Sequence, residues 1–352
     1  MSREDKIRQF DPNGVGLKNG HFIGLPFTEE EAQIVLLSVP WDVTVSYSDG
    51  TSRGPENILQ ASTQLDLYDP EAPDAWKMGL YLRPPDTEWQ HRNDLLRSKA
   101  KEYLAFLEGG GDLHKETEWQ VLPHEITRHC TELVAWVQTE TAALLEAGKC
   151  IGIVGGEHSV PLGFLRALSE VHDSFGILQI DAHMDLREAY EGFRYSHASI
   201  FYNALQIKAV SRLVQVGIRD YCQEEKELAD GSGGRVVVHY DHDLRTQLFQ
   251  GRTYDEICRQ IVDPLPEKVY VSFDIDGLAP ELCPNTGTPV PGGLQFQEAM
   301  HLLKVLVDSG RQIIGFDLCE VAGIGHEWDG NVGARVLYRL ANLMGKSNGL
   351  AG

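Results

Sequence analysis

Gln179-Ile180-Asp181-Ala182-His183-Met184-Asp185-Leu186 is a short apolar run that ends in three potential metal ligands. In extended backbone the side chains alternate faces, so Asp181, His183 and Asp185 project to one side from the end of a buried strand. An Asp-x-His-x-Asp string also arises by chance in solvated loops, and alone it does not separate a metal site from a polar turn. A second string of the same kind changes the balance. Ser272-Phe273-Asp274-Ile275-Asp276 follows the apolar residues 269–271 and again sets two carboxylates on one face. Uncompensated carboxylates at the ends of buried strands carry heavy desolvation penalties, and metal ions are the usual compensation.

Outward from these strings the chain alternates apolar strands with helical spacing. Strands are expected at 32–39 (stopped by Pro40), 150–154, 176–180, 213–216, 236–239, 268–273 and 313–318. Helices are expected from Pro55, over 124–147 up to Gly148, and at 161–171, 198–208, 254–261, 296–308 and 330–343. The pattern predicts an α/β fold of three layers, α/β/α, around a mostly parallel central sheet, whose ligand site lies beyond the C-terminal ends of the strands. The strings at 158, 181–185 and 274–276 all sit just after such strands. One domain over 1–352 is the economical reading, with 1–32 as an N-terminal arm and 66–122 as an irregular insertion. In the latter, Pro70, Pro73, Pro84, Pro85 and Gly109-Gly110-Gly111 interrupt any pattern apart from a helix near 93–107. Surface cover, subunit contact and lid all remain open for it.

The formal net charge of −21 argues against nucleic acid or an anionic membrane as partner and is compatible with a cationic substrate. The start of the chain lacks a signal-peptide core, and no stretch approaches the ~18 apolar residues of a membrane span. A cytoplasmic location is expected. Six cysteines without CxxC spacing read as buried reduced thiols.

His158, Asp181, His183, Asp185, Asp274 and Asp276 form a hard oxygen and nitrogen ligand set without cysteine, better suited to manganese, nickel, cobalt or iron than to structural zinc. Six ligands exceed the need of one ion with an open position, which points to two divalent ions sharing carboxylates. Such a pair lowers the pKa of a shared water toward neutrality, which is hydrolase chemistry.

Gly155-Gly156-Glu157-His158-Ser159, Asp181-Ala182-His183-Met184-Asp185 and Ser272-Phe273-Asp274-Ile275-Asp276, followed by Asn285-Thr286-Gly287-Thr288-Pro289 and Pro291-Gly292-Gly293, resemble the signatures of the ureohydrolase family, which includes arginase, agmatinase and guanidine hydrolase. The resemblance covers roughly 34–345. It implies an arginase-like fold, Asp181 and Asp274 bridging the ions, His158 and Asp185 completing one, and His183 and Asp276 the other. It further implies that His197 shuttles a proton and Glu320 grips a guanidinium, a planar cation that favours a carboxylate partner. Ala279-Pro280 departs from the Asp-Pro pair common in the family, and Glu157 stands where Asp is frequent.

The expected reaction is release of urea from a small guanidino compound. The loop 190–199 is closer to agmatinase-like members than to arginase, whereas Trp328 just beyond Glu320, Val43-Thr44-Val45-Ser46-Tyr47 and 66–122 together are similar to guanidine hydrolases, with manganese or nickel as the metal. Free guanidine is the first expectation, agmatine or a guanidino acid the alternative. Trp328 either packs in the core or lines and shortens the pocket. Family likeness implies a homo-oligomer, trimer or hexamer. Single-metal deacetylation and a non-catalytic binding role are the readings from other classes.

Overall fold

The computed structural model describes residues 1–113, 115 and 117–350. Eight strands form one sheet: β1 (Ile34–Val39), β2 (Leu80–Leu82), β3 (Cys150–Gly155), β4 (Phe175–Ile180), β5 (Val210–Ile218), β6 (Val236–Tyr240), β7 (Lys268–Asp274) and β8 (Gln312–Cys319). Their order is β2-β1-β3-β8-β7-β4-β5-β6, and every pairing is parallel. The central strands are buried along nearly their whole length, which is why they read as continuous apolar runs rather than alternating ones.

Helices α1 (Arg3–Gln9), α2 (Gly54–Ser62), α3 (Thr87–Glu108), α4 (Thr117–Glu146), α5 (Leu162–Val171), α6 (Ile200–Ala204), α7 (Gln223–Asp230), α8 (Asp241–Phe249), α9 (Tyr254–Val262), α10 (Phe296–Asp308) and α11 (Glu327–Ser347) accompany the sheet. One core joins the sheet to α2, α9, α10 and α11. A second joins the opposite face to α3, α4, α5 and α6. Local chemistry sets the ends. Pro55 lies in the first turn of α2, and Asp86 caps α3 by accepting from Glu88 N and Trp89 N at 2.9 and 3.1 Å. Gly148 takes φ +72° after α4, where Lys149 N bonds back to Leu144 O.

The segment 66–122 is not the irregular insertion that its prolines and glycines suggest. It contributes the edge strand β2, the 22-residue helix α3 and the start of α4. A three-residue strand is too short to show periodicity, and the prolines fall between elements. Residues 1–32 are also more than a surface arm, since Phe22, Leu25 and Phe27 are fully buried in the first core. The helix expected over 198–208 shortens to α6 after a 3-10 turn at His197–Ser199. No helix among the described residues is long and apolar enough to cross a membrane.

Candidate functional site

Strands β3, β4, β7 and β8 are neighbours in the sheet and end at the same edge, so the segments that follow them converge. His158 Nδ1 lies 2.9 Å from Asp181 Oδ2, 3.0 Å from Asp185 Oδ2 and 3.4 Å from Asp274 Oδ2. His183 Nδ1 lies 3.1 Å from Asp276 Oδ2 and 3.6 Å from Asp181 Oδ1. Two groups with metal-ligand spacing result, His158 with Asp181 and Asp185, and His183 with Asp181 and Asp276. Asp181 is common to both. Asp274 turns Oδ2 toward His158, while its Oδ1 accepts from Asp276 N at 2.8 Å.

The surrounding bonds define what this cluster accepts. Ser272 Oγ donates to Asp317 Oδ2 at 2.7 Å, so its 2.9 Å contact with His158 Nε2 is one in which the imidazole donates. Nδ1 then presents a lone pair to three carboxylates and has no hydrogen-bond partner of its own. Burial opposes a charge on His158, yet Asp181 and Asp185 raise its proton affinity well above the usual range. Burial and the neighbouring Asp181 likewise hold Asp185 up at about 7. The cluster calls for positive charge at this point, and divalent ions fit the donor set.

Gln179 Nε2 donates to Asp181 Oδ2 at 2.8 Å, and Gln215 Nε2 donates in turn to Gln179 Oε1 at 2.6 Å. Ala182 N fixes Asp276 Oδ1 at 3.0 Å. Such outer contacts orient ligands and tune their basicity. Gln179, Gln215, Ser272 and Asp317 had no role assigned from the sequence. The signal was present, since each is a polar residue inside an otherwise apolar strand.

Asp185 and Glu320 both adopt positive φ, +53° and +64°. For non-glycine residues this stores backbone strain of the kind concentrated at functional sites. Glu320 is buried, its Oε1 accepting from His158 N at 2.9 Å, its backbone N–H donating to Gly156 O, and Thr286 Oγ1 donating to its carbonyl. Oε2 has no partner. A Cβ on Gly287 would stand 3.1 Å from that oxygen, so glycine keeps the space beside it open. Burial first, then Glu157, pushes the Glu320 carboxyl well up.

Above the cluster lies a cavity of about 350 Å³ lined by His183, Asp185 and His197, and further out by Ser46, Tyr47, Arg187, Tyr190, Asp220, Glu225 and Thr288. His197 Nε2 is 3.3 Å from Ser46 Oγ and Nδ1 is 3.2 Å from Ser196 Oγ. Burial, then His183 and Arg97, pushes His197 down to about 3, which keeps the imidazole neutral. Trp328 corrects an expectation, for it lies outside the cavity. It is 51% exposed at the start of α11 and donates from Nε1 to Glu281 O. The inward residue there is Asp329, which accepts from Asn285 N and Nδ2 at 2.9 and 2.8 Å, and the next residue along a helix points about 100° away.

Comparison with known proteins agrees with this geometry. The arginase family model matches residues 32–341. The chain is 31% identical over 331 residues to an N(1)-aminopropylagmatine ureohydrolase of Thermus thermophilus, covering 91% of this chain and 93% of that protein. It is 30% identical over 317 residues to an agmatinase of Neisseria meningitidis serogroup B, covering 88% and 87%. Among solved structures, proclavaminate amidino hydrolase from Streptomyces clavuligerus superposes with a TM-score of 0.74 over 95% of this chain and all of that one, at 22% identity, a likeness of fold. With a shared aspartate between two His/Asp groups at the C-terminal edge of its sheet, the chain belongs to the arginase family, whose ureohydrolases cleave amidino C–N bonds at a binuclear metal site.

Proposed function

We propose that this ureohydrolase acts on free guanidine, releasing urea and ammonia, with manganese or nickel as the paired metal. The observation that carries the choice of substrate concerns the cavity wall. A second cationic group on a substrate needs an aromatic face or a free carboxylate. Here the Tyr190 ring is covered by the chain's own Arg187, whose Cζ sits 4.6 Å from the ring centroid. Glu225 already accepts from Leu186 N and Cys222 N and lies 3.9 Å from Arg187 Nε. Two of the cavity's receptors for an amine tail, Tyr190 and Glu225, are thus in use within the protein, which favours a substrate without one.

His158, Asp181, Asp185 and Asp274 would hold one ion, and Asp181, His183 and Asp276 the other, with the bridging role expected of Asp274 resting on family likeness. Bound there, the ions supply Lewis acidity and lower the pKa of water. Glu320 orients the substrate, its unpartnered Oε2 accepting an N–H of the guanidinium. Glu157 steadies the floor by accepting from Thr44 N, Thr44 Oγ1 and Ser159 Oγ. His197, neutral and in hydroxyl contact at both nitrogens, takes a proton at one and gives one from the other, relaying it to the departing nitrogen.

Agmatine is the second reading. The cavity volume exceeds what a guanidinium fills, and Asp220 stands exposed at its rim. Urea release from guanidine, agmatine, guanidinobutyrate and arginine by metal-loaded protein tests the choice. Turnover of guanidine with little urea from the tailed compounds is expected, and urea from agmatine alone rejects the first reading.

A further inference from the structure

We propose that Arg97, on helix α3 and outside the catalytic cavity, is a positioning residue for His197, and that α3 acts as a strut of the active site. The proposal rests on the reading of His197 as the proton carrier.

Arg97 is 6% exposed; its charge acts on the Asp49 and Glu191 carboxyls, but among the described residues it makes no direct salt bridge with either. Its Nη1 binds backbone instead, donating to Val43 O at 3.3 Å and to Val45 O at 2.5 Å, while the buried Nε has no partner among the described residues. These carbonyls flank Thr44. Thr44 Oγ1 accepts from His197 N at 3.1 Å and donates to Glu157 Oε1 at 2.8 Å, and Ser46, two residues on, meets His197 Nε2 at 3.3 Å. A buried cation therefore clamps the short stretch whose hydroxyls hold both the backbone and the ring of His197. Burying a cation whose hydrogen bonds go to backbone carbonyls rather than to a carboxylate is costly, and Asp49 and Glu191 offset that only through their field, which makes its retention for packing alone hard to explain.

The rest of the same helix face addresses the loops around the cavity. One turn before Arg97, Asn93 accepts from Asp42 N at 2.7 Å and donates to Asp42 Oδ1 at 2.9 Å. Asp42 Oδ2 in turn accepts from Gly50 N and Ser52 N, closing the 42–52 loop. Tyr103 donates to Glu191 O at 3.1 Å and packs its ring 5.6 Å from Phe193, on the loop that leads into His197. Asn93, Arg97, Ala100 and Tyr103 recur at helical spacing, so one face of α3 holds both loops that bear on His197.

The test is a double-mutant cycle between Arg97→Met and His197→Ala in the metal-loaded enzyme, with hydrogen exchange of peptides covering 42–50 read by mass spectrometry. Arg97→Met alone should lower kcat on the order of 10²-fold, as a misplaced catalytic group does, with KM little changed. In the His197→Ala background it should lower kcat no further, and 42–50 should exchange faster. Arg97→Lys, which keeps the charge, should restore part of the loss and takes the place of Arg97→Met in the cycle if that variant does not fold. Losses that multiply in the double variant, or unchanged exchange of 42–50, overturn the proposal. A His197→Ala enzyme with wild-type kcat instead removes the proton-carrier reading, and the exchange of 42–50 still decides whether Arg97 clamps the loop.

Discussion

His158 donates from Nε2 to Ser272 Oγ at 2.9 Å, and that contact decides which ring nitrogen faces Asp181 and Asp185. Ser272 donates its own hydrogen bond to Asp317, so the imidazole keeps its lone pair on Nδ1, the form a metal ligand requires. Ser272→Ala should weaken metal retention by about 10- to 100-fold without changing the fold. Metal content after graded dialysis against a chelator measures this, and unaltered retention counts against the assigned tautomer.

Asp181 belongs to both ligand groups, whereas Asp276 belongs to one. Asp181→Asn should therefore deplete both ions and Asp276→Asn chiefly one. Elemental analysis per chain distinguishes them, and equal stoichiometry in the two variants contradicts the shared position.

Glu320 offers one buried carboxylate oxygen without a partner. Replacing it by Gln keeps the shape and removes the charge that favours a guanidinium, so kcat/KM should fall by about 10²-fold or more while both ions stay bound. Loss of metal in Glu320→Gln would assign the residue to the metal site instead.

Arg187 covers Tyr190 and leans toward Glu225. Arg187→Ala exposes both to the cavity, and agmatine turnover should rise relative to guanidine by roughly two- to fivefold, the value of one exposed cation–π contact of about 0.5–1 kcal/mol. Competition between the two substrates provides the ratio. An unchanged ratio removes Arg187 as a determinant of specificity.

Burial pushes His239 on β6 down to about 4, with Asp243 offsetting only part of the effect. The unfolded chain takes up this proton near pH 6.5 and the folded chain does not, so the stability linked to neutral His239 is present above that pH and is lost as pH falls toward 4. Denaturant titrations between pH 8 and 4.5 should show His239→Asn with a shallower acid decline than the parent, by at most about 1.4 kcal/mol per pH unit. Parallel curves contradict the shift.

The sheet was legible because β1, β3, β4 and β7 are apolar runs that end in Pro, Gly or the ligand strings, and β8 is an apolar run that leads into Glu320. Strand β2 was not, since three residues carry no period, and α7 and α8 are short and polar enough to read as loop. The ligands themselves announce their role as carboxylates and imidazoles just past buried strands. Arg97 does not, because it binds backbone carbonyls 52 and 54 residues away that leave no mark on the sequence. Trp328 misled by proximity in sequence to Glu320, whereas the turn after β8 directs Asp329 inward.

Steady-state urea release by the enzyme loaded with manganese or nickel tests the identity of the substrate most directly. Guanidine should give a kcat/KM above that of agmatine with at least one of the two metals. A kcat/KM for agmatine exceeding that for guanidine with both metals contradicts it.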